Sequence, residues 1–166
     1  MPIIYAAATV YVNPSGETPV LNLEQVWKGL ELKARKPQLF LPVIDTCKVL
    51  SDENETVVRE VKFKAGGPSD KPVIETITHY PPINPEAKSG LETFQIKDTN
   101  SKVLNIVSEG PEGELMLTFT FEWEHKEIEK GSEEERVKQK AYQGMASKGA
   151  TGTVKAIREM VKKGEL

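Results

Sequence analysis

Ahead of residue 125, apolar and polar side chains mostly alternate, the mark of strands with one buried face. In residues 3–12, Ile4, Ala6, Ala8, Val10 and Val12 fall on one side, and Tyr5, Thr9 and Tyr11 on the other. Comparable runs follow at 43–50, 56–64, 73–80, 91–97, 102–108 and 114–124. The last is the clearest. Leu115, Leu117, Phe119, Phe121 and Trp123 make an apolar row, with Met116, Thr118, Thr120, Glu122 and Glu124 opposite. Between the runs lie Ser51 to Asn54, Gly66-Gly67-Pro68, Pro81-Pro82, Asp98 to Ser101 and Glu109 to Gly113. Several of these links are short enough for hairpins, which predicts an antiparallel meander.

Two stretches change to helical spacing. After a turn-rich loop at 13–19, Asn22 suits an N-cap, with Gln25 three positions on. Leu23, Val26, Trp27, Leu30 and Ala34 then follow at helical intervals, and Pro37 ends this helix or starts a short second one over 38–41. The second stretch opens with Ser132-Glu-Glu-Glu135, a capping box with acids at the positive end of the helix dipole. It extends to about Lys163, some ~45 Å at helical rise, with Lys162 and Lys163 near its end and Gly164 as a stop. Its middle holds Gly144, Ala146, Ser147, Gly149, Ala150 and Gly152. Interior glycines cost roughly 1 kcal/mol each against alanine. They imply a close neighbour, room for a ligand, or a kink.

The predicted fold is α+β: a seven-stranded curved antiparallel sheet, two short helices after the first strand, and one long C-terminal helix. A sheet with so little helix to cover it wraps around that helix, leaving an internal cavity. The 166 residues read as a single domain, 1–166. Hydrophobic residues make up 38% and charged residues 28%, as in soluble globular chains. A net charge of −3 offers no basic field for nucleic acid. The lone Cys47 excludes an internal disulfide, and its strand supplies no base to activate it, so it reads as structural. The start of the chain lacks a basic segment and continues as a strand, so no signal peptide is expected. No apolar run is long enough to span a membrane. The expected setting is cytoplasmic.

The order of elements resembles the helix-grip domains, the START-like or Bet v 1-like (SRPBCC) superfamily. Sharper likeness comes from Gln25-Val-Trp-Lys-Gly-Leu30, Lys33-Ala-Arg-Lys-Pro-Gln-Leu-Phe-Leu-Pro42, Cys47-Lys-Val-Leu50, Arg59-Glu-Val-Lys-Phe63, Leu115 to Trp123 and Gly131-Ser-Glu-Glu-Glu135. Together these resemble the AtaL-like proteins, named after the L protein of the fungal acetylaranotin cluster. The resemblance implies a helix-grip fold, an apolar ligand cavity and a setting in secondary metabolism, with polyketide-cyclase-like catalysts among the wider relatives. Fold likeness alone does not fix function.

Arg59 shares a strand face with Val57, Val61 and Phe63. Turned inward, it needs a carboxylate or an oxygen of a bound molecule; a bulge or register slip would turn it out and put Glu60 inside. On the next strand Val73, Glu75, Ile77 and His79 share one face, and Ile74, Thr76, Thr78 and Tyr80 the other. If the first is inner, Glu75 neutralises Arg59 or acts as a base. If the second is, Thr76, Thr78 and Tyr80 line the cavity and Glu75 meets solvent. Asn105 lies between Val103 and Val107 as an inward hydrogen-bonding group, and Tyr142 points its hydroxyl at the cavity or at water. The candidate catalytic groups are therefore Arg59, Glu75, Asn105 and Tyr142. The candidate ligand walls are Val57, Val61, Phe63, Ile77, Leu117, Phe119, Phe121 and Met145. His79 and His125 lie too far apart in sequence to make a metal site by spacing, and His125 is expected at the surface. Phosphate-loop, dinucleotide and serine-elbow motifs are absent, and no cofactor is expected. Loops 64–71 and 81–90 are candidates for the cavity rim.

The leading expectation is a protein that binds a small apolar or amphipathic ligand, as a monomer or weak homodimer. The alternative is a cofactor-independent cyclase or isomerase using the same cavity. A third reading makes the charged loop 124–136 a partner surface, although such runs are usually solvated faces.

Overall fold

The computed structural model describes residues 2–166. The strands are β1 (Ile3–Tyr11), β2 (Ile44–Glu53), β3 (Thr56–Phe63), β4 (Val73–Tyr80), β5 (Gly90–Ile96), β6 (Lys102–Glu109) and β7 (Leu115–Glu124). They form one curved antiparallel sheet in the order β1-β7-β6-β5-β4-β3-β2. The consecutive hairpins predicted from the alternation run from β2 to β7. β1 instead pairs with β7 (Ala6 opposite Phe121, Ala8 opposite Phe119), so the first and last strands lie side by side. β2 runs past the expected turn to Glu53. Asn54 and Glu55, both at positive φ (51° and 60°), make a two-residue turn of the type that matches strand twist, so Asp52 and Glu53 stay paired with β3. β2 is a sheet edge; it is mostly polar and exposed and carries two register shifts, features that discourage edge-to-edge pairing.

Helix α1 (Leu23–Arg35) opens with the reciprocal cap anticipated at Asn22. Asn22 Oδ1 accepts from the Gln25 N–H at 2.9 Å, and Gln25 Oε1 accepts from the Asn22 N–H at 3.0 Å. Its buried stripe is Val26, Trp27, Gly29, Leu30, Lys33 and Ala34. The expected second helix is only one 3-10 turn, Pro37–Leu39, because Pro37 fixes the entry and the chain is already turning toward β2.

Helix α2 (Glu133–Lys162) runs without a break through its glycines. Ser132 Oγ accepts from the Glu135 N–H at its start. At its end the Glu165 N–H bonds Met160 O and the Gly164 N–H bonds Val161 O, while Gly164 takes the left-handed φ of 73° that such a cap requires. The middle glycines differ in role. A Cβ at Gly149 would sit 3.5 Å from Phe119 and from Leu41, in ordinary contact, whereas one at Gly144 would meet nothing within 4 Å. Gly144→Ala should therefore raise stability by about 1 kcal/mol. Gly29→Ala in α1, whose methyl would drive into the buried Ile157 side chain, should lower it despite the same gain in propensity. Urea denaturation midpoints of the two variants check both signs.

Candidate functional site

Between the inner face of the sheet and the middle of α2 lies a narrow cavity of about 60 Å³, counted as the space open to the centre of a water molecule. Three strands give it an aromatic floor, Phe63 from β3, Phe94 from β5, and Phe119, Phe121 and Trp123 from β7, and β6 adds Val103. Met145 and Gly149 of α2 cover it; Leu41, Val43, Ile44 and Pro68 close the sides. Its polar groups are Lys33, Arg59, Glu75 and Asn105. Leu41, Val43, Phe63, Pro68, Phe121 and Met145 are half-buried, and the other wall residues are buried.

Strand alternation places the polar groups. Arg59 and Glu75 are cross-strand partners on the inner faces of β3 and β4, and both are almost wholly buried. Arg59 Nε donates to Glu75 Oε2 at 2.7 Å, and Nη2 lies 2.7 Å from the same oxygen as an ion-pair contact. Arg59 Nη1 donates to Lys33 O (3.1 Å) and Ala34 O (2.7 Å), carbonyls in the last turn of α1 that have no helical partner. The guanidinium also lies 5.4 Å from the Phe94 ring centroid. Arg59 is thus a clamp between α1 and the sheet, with most of its donors already engaged.

Lys33 arrives from α1, one turn beyond Leu30 on the buried stripe. Its Nζ sits 4.9 Å from the Phe119 centroid and 5.1 Å from that of Phe94. Among the described residues it makes no hydrogen bond and no salt bridge. Burial, reinforced by Arg59, pulls its pKa down to about 8, against the opposing pull of the Glu92 and Glu75 carboxylates.

Behind the cavity a polar chain runs across β6, β5 and β4. Asn105 Nδ2 donates to Glu92 Oε2 at 2.9 Å, and Glu92 Oε1 lies 3.1 Å from His79 Nε2. The second contact is an ion pair outside hydrogen-bond geometry, so those two atoms and Asn105 Oδ1 lack a hydrogen bond. Burial presses the His79 pKa down, but the Glu92 carboxylate outweighs it and leaves the imidazole above its ordinary value. Its net effect therefore favours the folded state below pH ~6.5 and fades as pH rises through the higher folded value.

The structure brings together part of the predicted set. Arg59, Glu75 and Asn105 share the cavity with Phe63, Phe119, Phe121 and Met145. Glu75 faces inward, so the arrangement with Thr76, Thr78 and Tyr80 inside does not occur. Val57, Val61, Ile77 and Leu117 are fully buried core residues off the cavity wall. Tyr142 is also absent from the wall. Its hydroxyl meets neither cavity nor water but lies 2.7 Å from His125 Nε2. His125 is accordingly buried rather than at the surface, with Nδ1 2.7 Å from Glu127 Oε1. Burial raises the Tyr142 pKa, and the Glu127 carboxylate adds to the effect. Of the two loops expected at the rim, 64–71 contributes Pro68 and 81–90 contributes nothing. Burial raises the Cys47 thiol pKa, which suits an inert side chain. Lys33, Phe94 and Trp123 were missed as wall residues. A lysine on the apolar stripe of α1 was the available signal for the first.

Among the described residues no group of three or more His, Cys, Asp or Glu could hold a metal ion, and no helix is long and apolar enough to cross a membrane.

A seven-stranded sheet gripping its terminal helix, with a small cavity between them, defines a protein of the helix-grip, START/Bet v 1-like class. Two solved structures share this fold. A protein of Thermus thermophilus superposes with a TM-score of 0.58 at 17% identity, over 94% of this chain and 97% of its own. The XoxI protein of Bacillus cereus superposes at 0.54, also with 17% identity, over 100% and 99%. Within the class, the chain belongs to the family described as "Acetylaranotin biosynthesis cluster protein L", whose profile matches residues 6–164. The protein of that name from Aspergillus terreus is 26% identical over 162 residues, 96% of this chain and 91% of that one.

Proposed function

We propose that this protein binds a small apolar or amphipathic metabolite in the cavity beneath α2, as part of secondary metabolism. The carrying observation is the cavity wall itself: five aromatic rings with Lys33, Glu75 and Asn105 set among them. An apolar lining with a few placed polar groups is the usual makeup of a ligand pocket. The family's link to a biosynthesis cluster supports the metabolic setting.

At about 60 Å³ the cavity has room for only a few waters, whereas pockets for drug-sized ligands measure roughly 300–1,000 Å³. Binding therefore includes opening, with the half-buried Phe63, Pro68, Phe121 and Met145 moving apart. The thioether chain of Met145 repacks readily. Titration with the fluorescent probe 8-anilinonaphthalene-1-sulfonate should give saturable one-to-one binding. Gly149→Leu, which projects a side chain into the cavity, should weaken that binding by about tenfold or more, since it occupies the space that the ligand needs. Unsaturable binding, or binding indifferent to Gly149→Leu, would remove the cavity from consideration.

A second reading, a cofactor-independent cyclase or isomerase, is favoured by titratable groups on the wall, Lys33 and Glu75. The same samples, supplied with carbonyl-bearing cluster intermediates, would separate the two by mass spectrometry. Bound ligand recovered unchanged marks a binding protein.

A further inference from the structure

We propose that Lys33 is a nucleophilic amine that captures an aldehyde or ketone group of the cavity ligand as a covalent imine. This rests on the cavity being a ligand site, and it names the ligand's reactive group.

The placement of Lys33 carries the inference. It is the only buried lysine among the described residues. The other buried cations have partners: Arg59 has Glu75, and Arg158 bonds the Val12 and Pro19 carbonyls. Lys33 has two aromatic faces and an opening onto the cavity. An amine held this way gains little as a structural cation, because the rings and the Glu92 and Glu75 carboxylates, none of them in direct contact with its charge as a salt bridge, offset its lost hydration only in part. As a neutral amine it keeps a free lone pair that no protein donor among the described residues engages. With its pKa near 8, an appreciable share is neutral at physiological pH, the condition that activates catalytic lysines in apolar pockets. The charged groups facing it are Glu92 on β5, Arg59 on β3 and Glu75 on β4; α2 faces the cavity with Met145 and Gly149, which carry none.

The chemistry balances without a co-reactant. Neutral Nζ attacks the carbonyl carbon, and the C=O π pair moves to oxygen. One nitrogen proton passes to that oxygen, giving a carbinolamine. A second proton then leaves nitrogen as the hydroxyl departs as water, and C=N forms. One amine and one carbonyl become one imine and one water. Glu75, on the same wall, is the group available to ferry the protons. The aromatic floor suits a flat conjugated carbonyl. The imine, once protonated, withdraws electrons from the neighbouring carbon, the activation that isomerisation or ring closure needs.

The test uses trans-cinnamaldehyde as the probe, with sodium cyanoborohydride to reduce the imine to a stable amine. Intact mass and peptide mapping follow across pH 6–10. The expected result is a single adduct at Lys33, exceeding any other lysine by roughly tenfold or more, since a lower pKa leaves more neutral amine. Its rate should rise with a midpoint near the Lys33 value, about 8. K33M should remove the adduct while unfolding in urea as cooperatively as the parent protein. Labelling spread over surface lysines, or unchanged in K33M, overturns the imine. If the fluorescent probe binds saturably and Lys33 stays unmodified, only the imine fails. If the probe does not bind at all, the cavity reading fails with it.

Discussion

Arg59→Leu should destabilise the protein by roughly 3–5 kcal/mol, the usual result of removing one member of a buried ion pair. The Glu75 carboxylate would lose both of its 2.7 Å contacts and remain buried. The Lys33 and Ala34 carbonyls would lose their donor as well, leaving the end of α1 unsatisfied. Domains of this size are stable by only about 5–15 kcal/mol in total, so the loss is a large fraction. It should appear as a lower urea midpoint with an unchanged slope. The double variant Arg59→Leu/Glu75→Leu should recover much of the loss, because it removes the stranded carboxylate. A single variant within about 0.5 kcal/mol of the parent would show that the clamp contributes nothing. Loss of ligand binding in Arg59→Ala would therefore report folding as much as contact with the ligand.

Lys33→Met should act in the opposite direction, stabilising the protein by roughly 2–3 kcal/mol at neutral pH, or several degrees in melting temperature. The sign follows from linkage. The folded value near 8 lies below the ordinary 10.5, so the unfolded chain binds more protons than the folded one between those pH values. Below pH 8 the folded state carries the full penalty of the buried charge. From pH 8 to about 10.5 the penalty is relieved, and the advantage of methionine should shrink over that window. Methionine also preserves most of the packing volume. Thermal melts of both proteins at several pH values check the prediction. Equal stability at pH 7 would mean that the Phe94 and Phe119 rings repay the lost hydration in full.

The sequence made the frame of the fold readable because strand alternation and helix caps are local signals. The row from Leu115 to Trp123, the Asn22–Gln25 cap and the stop at Gly164 need no knowledge of distant parts of the chain. Arg59 was recognisable for the same reason, as a charge within an apolar row. Glu75 was harder, since both faces of β4 mix polar and apolar residues; only pairing with β3 decides which one is inner. Lys33 was hidden by its residue type. A lysine on a helix usually extends its amine to water, and only the approach of Phe94 and Phe119 from strands far along the chain prevents that. Tyr142 was misplaced because its partner, His125, is fixed by the path of the loop 125–131, which has no periodic signal.

The polar ties of α2 are unevenly distributed along its length. Tyr142 and Gln143 fasten its first half, to His125 and the Ala7 carbonyl, and Arg158 fastens its far end to the Val12 and Pro19 carbonyls. Among the described residues, no side chain of the helix from Gly144 to Ile157 makes a hydrogen bond, and that span includes the roof of the cavity. The helix thus behaves as a beam pinned near both supports and merely resting between them. Bowing there would break no side-chain hydrogen bond of the helix, so in the proposed binding role the roof is the part free to adjust to guests of different girth without releasing either anchor.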